Sequence, residues 1–115
     1  KSILVCDDER HIARLLQVNF ERQGYRVTCA FDGAEAIGIL ETSGTDYGIA
    51  ILDWMMPVFD GLEVLKWIRS NSETQAMRVI LMVPANFDRM LLESLPYQAD
   101  MVFDKTNTKP WDYLL

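Results

Sequence analysis

The sequence predicts an α/β protein: one doubly wound domain in which a five-stranded parallel sheet of order 2-1-3-4-5 carries helices on both faces. Two observations carry this prediction. Short apolar runs alternate five times with stretches of helical spacing, and the connections between them are short. With 115 residues, 50% hydrophobic and 24% charged, the chain has enough apolar surface for a single core under two flanking layers. The crossovers of such a sheet are right-handed, and ligands sit at the carboxyl ends of the strands, where strand order reverses.

Ser2 to Cys6 is a β-branched apolar run stopped by Asp7-Asp8-Glu9, which reads as a strand buried on both faces. From Glu9 to Gln23, Ile12, Leu15, Leu16, Val18 and Phe20 keep helical spacing, and Gly24 stands where a helix C-cap belongs. Tyr25 to Ala30 alternates Tyr, Val and Cys with Arg and Thr, as a second strand does. Asp32-Gly33 turns the chain into a helix from Ala34 to about Leu40, which Ser43-Gly44-Thr45-Asp46 ends. Tyr47 to Leu52 is the third strand. After Asp60-Gly61, Leu62, Leu65 and Ile68 mark a third helix. Met77 to Val83 is the fourth strand, Phe87 to Leu95 the fourth helix and Met101 to Phe103 the fifth strand. A fifth helix opens after Lys109-Pro110, with proline in its first turn.

The formal net charge of −6 argues against direct nucleic-acid binding, which needs clustered Lys and Arg. No apolar run approaches the roughly 20 residues of a membrane span, and no signal-peptide pattern opens the chain. Cys6 and Cys29 stand in apolar strands and read as reduced, buried small hydrophobes of a cytoplasmic protein. His11 is placed on the solvent side of the first helix, without a role.

The chemistry gathers at the carboxyl edge. The first strand ends in Asp7-Asp8-Glu9, the third in Asp53, the fourth in Val83-Pro84 and the fifth in Asp104-Lys105. Strands one and three are neighbours in the predicted order, so Asp7, Asp8 and Asp53 should converge. Carboxylates that close repel one another unless a cation or proton intervenes. Two or three carboxylates without histidine or thiolate suit Mg²⁺, which keeps several of its waters. Lys105 can reach the same pocket as a compact positive charge. Helix capping alone would explain Asp7-Asp8-Glu9 but leaves Asp53 and Lys105 unaccounted for.

With ILVCDDE, ILDWMMPVFDG and the Asp104-Lys105 pair, the chain resembles the receiver domains of two-component response regulators, over nearly its whole length. The acidic pair with D-x-x-x-P-x-x-D-G is a specific signature. The resemblance implies a flavodoxin-like fold and a cytoplasmic signalling domain rather than an enzyme. It further implies that Asp53 accepts a phosphoryl group from a sensor histidine kinase. Asp8 would ligate Mg²⁺ directly and Asp7 through water, with the backbone carbonyl of Met55 as a further ligand. Lys105 would pair with the phosphoryl group, while Pro57 and Gly61 shape the loop. Output would pass to a further domain or partner through the fourth helix, fifth strand and fifth helix, a face that could also serve a homodimer. Lys1 at the start and Asp112–Leu115 inside a predicted helix point to a trimmed N-terminal domain of a longer regulator, residues 1–115, with its last helix cut short.

Three switch positions depart from the family. Receivers end the fourth strand with Ser or Thr and a small residue, whose hydroxyl and amide hold the phosphoryl group. Here Val83 lacks the hydroxyl and Pro84 the N–H. Asn86 is the one neutral polar side chain near enough to substitute. Val102 stands where a Tyr or Phe switch ring is usual, and Phe103, one place later, points to the opposite face. Thr106 follows Lys105 where proline is usual; Lys109-Pro110 lies beyond the strand end and ranks behind Lys105. The alternative reading is a pseudo-receiver, a protein-interaction domain regulated without phosphorylation. Trp54 flanks the pocket, and Trp67 and Trp111 read as helix anchors.

Overall fold

The structure, a computed structural model, describes residues 2–105. The strands are β1 Ser2–Cys6, β2 Val27–Ala30, β3 Tyr47–Asp53, β4 Arg78–Val83 and β5 Met101–Asp104. They form one parallel sheet in the predicted order β2-β1-β3-β4-β5. The helices α1 Arg10–Arg22, α2 Gly33–Ser43, α3 Gly61–Ser70 and α4 Met90–Glu93 lie in the crossovers. Val5 of β1 is paired with both Cys29 of β2 and Ile51 of β3, so strand order reverses at β1. The cleft that follows lies between the carboxyl ends of β1 and β3.

Alternation along the strands divides the core between two faces. Ile3, Val5, Ile49, Ile51, Ile80 and Met82 pack under Ala13, Leu16 and Phe20 of α1. Leu4, Cys6, Ala50, Leu52, Val79 and Leu81 pack against α2 and α3 through Ala36, Leu40, Val64, Leu65 and Ile68. Both faces are covered, which is why the central stretches of β1, β3 and β4 are continuously apolar. The two cysteines are free and fall on opposite faces, Cys6 with α2 and α3, Cys29 with α1. Burial raises both thiol pKa values, so neither is a ready thiolate.

Local chemistry sets the helix ends. Gly24, just past α1, takes a φ of 95°, the left-handed conformation that glycine adopts without a Cβ clash. Asp32 and Asp60 cap α2 and α3 by accepting the amides of Glu35 (2.7 Å) and Glu63 (2.9 Å). α2 runs past Leu40 to Ser43 and continues as a 3₁₀ turn, Gly44–Asp46. β2 begins at Val27 rather than Tyr25, and Tyr25 instead sets its ring edge-on against Phe20.

The fourth helix is a correction. Expected over Phe87–Leu95, it is a single turn, Met90–Glu93. Phe87 instead lies in a turn, its amide donating to the Pro84 carbonyl at 3.0 Å, and its ring packs on Trp54 with centroids 4.7 Å apart. Asp88 then accepts the Met90 amide at 3.0 Å and starts the turn. At the far end Pro96 disfavours helical geometry for Leu95. The fifth helix and Trp111 lie outside the described residues.

One side chain ties the amino edge together. Arg69, at the end of α3, donates to the carbonyls of Gln75, Met77 and Gln98 and pairs with Asp100 at 2.9 Å. Asp100 in turn accepts the Val79 amide at 2.7 Å, at the start of β4. Truncation would leave the half-buried Met77 carbonyl and two exposed carbonyls without this donor and Asp100 without its partner. Arg69→Ala is therefore expected to cost about 2–4 kcal/mol, read as a lower urea midpoint at unchanged slope. Arg69→Lys, lacking the planar fork, should recover less than half of that loss.

Candidate acidic site at the carboxyl edge of the sheet

Asp7, Asp8 and Asp53 converge as the strand order requires: one carboxylate oxygen from each lies within 4.8 Å of the others. Asp7 and Asp53 are buried, while Asp8 faces solvent. β3 delivers Asp53 one residue beyond Leu52, opposite Met82 of β4. Asp53 Oδ1 accepts the Met55 amide at 3.3 Å, and Asp7 Oδ1 accepts the Glu9 amide at 2.9 Å.

Lys105 enters from the end of β5. Its backbone amide donates to the Val83 carbonyl at 2.9 Å, which fixes where the side chain starts. Nζ then donates to Asp7 Oδ1 at 3.1 Å, Asp53 Oδ2 at 3.0 Å and Glu9 Oε1 at 2.6 Å. Burial opposes the ammonium charge, but Glu9, Asp53 and Asp7 together more than offset it and hold Lys105 above its usual pKa. Lys105 and its hydrogen bond hold Glu9 below the ordinary carboxylate range.

One ammonium does not neutralise this cluster. Burial pushes the Asp53 carboxyl up to about 7 despite Lys105, and the Asp7 charge adds to the rise. Burial also raises Asp7, against its hydrogen bond to Glu9 and the charge of Lys105. Asp7 Oδ2 is fully buried and accepts no hydrogen bond, although the ammonium lies 3.1 Å away. A buried carboxylate oxygen without a donor, beside two more carboxylates, fits a small hard divalent cation.

The loop from Trp54 to Asp60 is closed at its base. The Gly61 amide donates to the Trp54 carbonyl at 3.1 Å. A Cβ at Gly61 would lie 2.5 Å from the Asp53 carbonyl oxygen, so the signature glycine is required by close approach. Val58 takes a φ of 69° at the outer turn, rare for a β-branched residue. Asp8, Trp54, Met55, Met56, Pro57 and Asp60 line an open groove of about 480 Å³ beside the carboxylates. The side chain of Met55 is exposed along this groove.

Comparison with known proteins decides the family. The model of the response regulator receiver domain matches residues 3–110. The chain belongs to this family. It is 46% identical over 94 residues to the alkaline phosphatase synthesis transcriptional regulatory protein PhoP of Bacillus subtilis. That match covers 79% of this chain and 37% of PhoP, so the receiver spans little more than a third of that relative. The Francisella response regulator 1452 receiver domain has 33% identity and a TM-score of 0.78, covering 90% of this chain and 83% of that one. Response regulator TrrA of Thermotoga maritima, solved in complex with Mg²⁺-BeF, has 33% identity and a TM-score of 0.80, covering 94% and 89%. No helix among the described residues is long and apolar enough to cross a membrane.

The described residues that depart from the family's pattern lie at the end of β4 and in β5. Val83 is buried at the end of β4, Pro84 follows it, and Asn86 is exposed. Val102 packs on the α2–α3 face and Phe103 on the α1 face, so Phe103 cannot fill the place of the missing ring. Sequence reasoning missed the hold of Glu9 on Lys105. The unbroken acidic run Asp7-Asp8-Glu9 was the available signal. It also missed that Asp60 of the signature is a helix cap, which Asp-Gly before an apolar periodic run could have shown.

The raised carboxyl sets a pH dependence. In the unfolded chain Asp53 ionises near the ordinary value of about 3.9, and in the fold at about 7. Between these the fold binds the extra proton. The stability it provides is present at pH 4 and lost as pH rises through 7. Without divalent metal, unfolding free energy should fall from pH 5 to 8, by at most about 1.4 kcal/mol per unit from this group. Asp53→Asn should flatten that slope in urea titrations at each pH.

Proposed function

We propose that this receiver is a phosphorylation-dependent signalling domain in which Asp53 accepts the phosphoryl group. The observation that carries it is the buried pair Asp7–Asp53 held by Lys105, with one Asp7 oxygen left without a donor. The Asp53 carboxylate attacks phosphorus in line, the bond to the donor's leaving group breaks, and an aspartyl phosphate results. The donor is a phosphohistidine of a sensor histidine kinase or a small acyl phosphate reaching the groove beside Trp54 and Met55. Asp8, Asp53 and the Met55 carbonyl would hold Mg²⁺ directly and Asp7 through water; when bound, the ion neutralises charge on the carboxylates and the incoming phosphoryl oxygens. Lys105 neutralises from the other side.

Val83 and Pro84 withhold the donors the family places on the phosphoryl group, and they favour the second reading, a pseudo-receiver that engages partners without phosphate. The intact carboxylates and Lys105 weigh for the first. In the first reading the domain, cytoplasmic and N-terminal in a longer regulator, signals through the fourth helix, β5 and the predicted fifth helix to an output domain or a second copy. Its activity is that of a phosphoacceptor rather than an enzyme acting on a separate substrate. The net charge of −6 supports leaving any nucleic-acid contact to other domains.

Intact-protein mass spectrometry after incubation with acetyl phosphate tests this. An adduct of one phosphoryl group should form with Mg²⁺, and fail to form without it or in Asp53→Ala. Its absence from the unaltered chain with Mg²⁺ would move the assignment to the pseudo-receiver. A restored hydroxyl to a charged phosphoryl oxygen contributes roughly 1.5–3 kcal/mol, so Val83→Thr should raise the initial rate of adduct formation about tenfold or more. Mg²⁺ should also raise the melting temperature more at pH 8 than at pH 6, because the Asp53 proton competes with it below about 7.

A further inference from the structure

We propose that Glu9 is a positioning residue that detains Lys105 and is displaced from it when a phosphoryl group arrives; this rests on the reading of Asp53 as the acceptor. An ammonium has three protons to donate. In this structure Asp7, Asp53 and Glu9 take all three, at 3.1, 3.0 and 2.6 Å. While the Asp53 carboxylate is still bonding to phosphorus, an incoming phosphoryl oxygen is a fourth acceptor for three protons, so one present contact must give way.

Exposure decides which one. The side chains of Asp7 and Asp53 are 1% and 4% exposed, so water cannot take the place of the ammonium at either. The Glu9 side chain is 49% exposed and can exchange Lys105 for solvent. Its 2.6 Å contact is also the shortest of the three, so it pulls the lysine outward, away from the acceptor. The backbone on each side is fixed: the Glu9 amide is bonded to Asp7 Oδ1, and the Lys105 amide to the Val83 carbonyl. Both side chains therefore start from fixed points, and their contact changes by side-chain movement alone. With Val83 and Pro84 offering no donor, the release of Lys105 weighs more in this site than it would where a hydroxyl shares the load.

The test follows adduct formation on Glu9→Gln and on the unaltered chain by mass spectrometry, across a range of acetyl phosphate concentrations at saturating Mg²⁺. Glutamine keeps the size and loses the charge that binds Lys105. The maximal rate should rise about two- to fivefold, the scale of one partly exposed ion pair. The donor concentration for half-maximal rate should stay the same. A gain confined to that concentration would mean that Glu9 merely repels the anionic donor, and would overturn the proposal. An unchanged or lower maximal rate in a variant that melts normally would overturn it too. No adduct on the unaltered chain sinks the phosphoacceptor reading and this inference together, whereas an adduct without the expected gain sinks this inference alone.

Discussion

The cost of holding carboxylates out of water governs the carboxyl edge of this domain. Asp7 follows β1 and Asp53 ends the adjacent β3, both strands running apolar up to these carboxylates, so the sheet that positions them also desolvates them. A single ammonium answers both, and burial still leaves each carboxyl raised. A site so short of positive charge has a standing affinity for cations and for groups that arrive with them. The same arrangement explains why β5 must be registered on β4: the Lys105 amide bond to Val83 sets the reach of the side chain. Charge deficit, strand register and the place of the cleft are one constraint seen at three scales.

The positions that depart from the family's pattern leave the end of β4 apolar. Where a hydroxyl and a ring would move together, this chain has a buried valine and a second valine packed on the α2–α3 face. The contact that does span from the acidic edge to the loop after β4 is aromatic, Trp54 against Phe87. It lies just before the single turn of the fourth helix.

Much of this was legible in the sequence. The five alternations, the strand ends and the reversal of order at β1 together located Asp7, Asp8, Asp53 and Lys105 before any coordinates, because period and topology are local and regular. The fourth helix was not legible. Phe87 and Leu95 have helical spacing, and only a long-range ring contact with Trp54 reveals that Phe87 is spoken for. Glu9 was read as part of a cap cluster, since a 96-residue separation hides its partner Lys105. The bond network of Arg69 was equally invisible, being made to backbone carbonyls that any sequence supplies.

The closed base of the Trp54–Asp60 loop separates the side chains that hold the acidic edge from those that face solvent. The Gly61 amide clips the loop to Trp54, and its missing side chain lets the helix seat against the Asp53 carbonyl. Residues outside that clip, Met55, Pro57, Val58 and Phe59, are exposed and bear no part of the core. Apart from Pro57 of the signature, their side chains can therefore change at little cost to packing, while Asp53 keeps its place. Val58 holds a conformation that suits its β-branched side chain poorly within this outer turn. Variation and constancy are separated in this loop by a single residue whose side chain is a hydrogen atom.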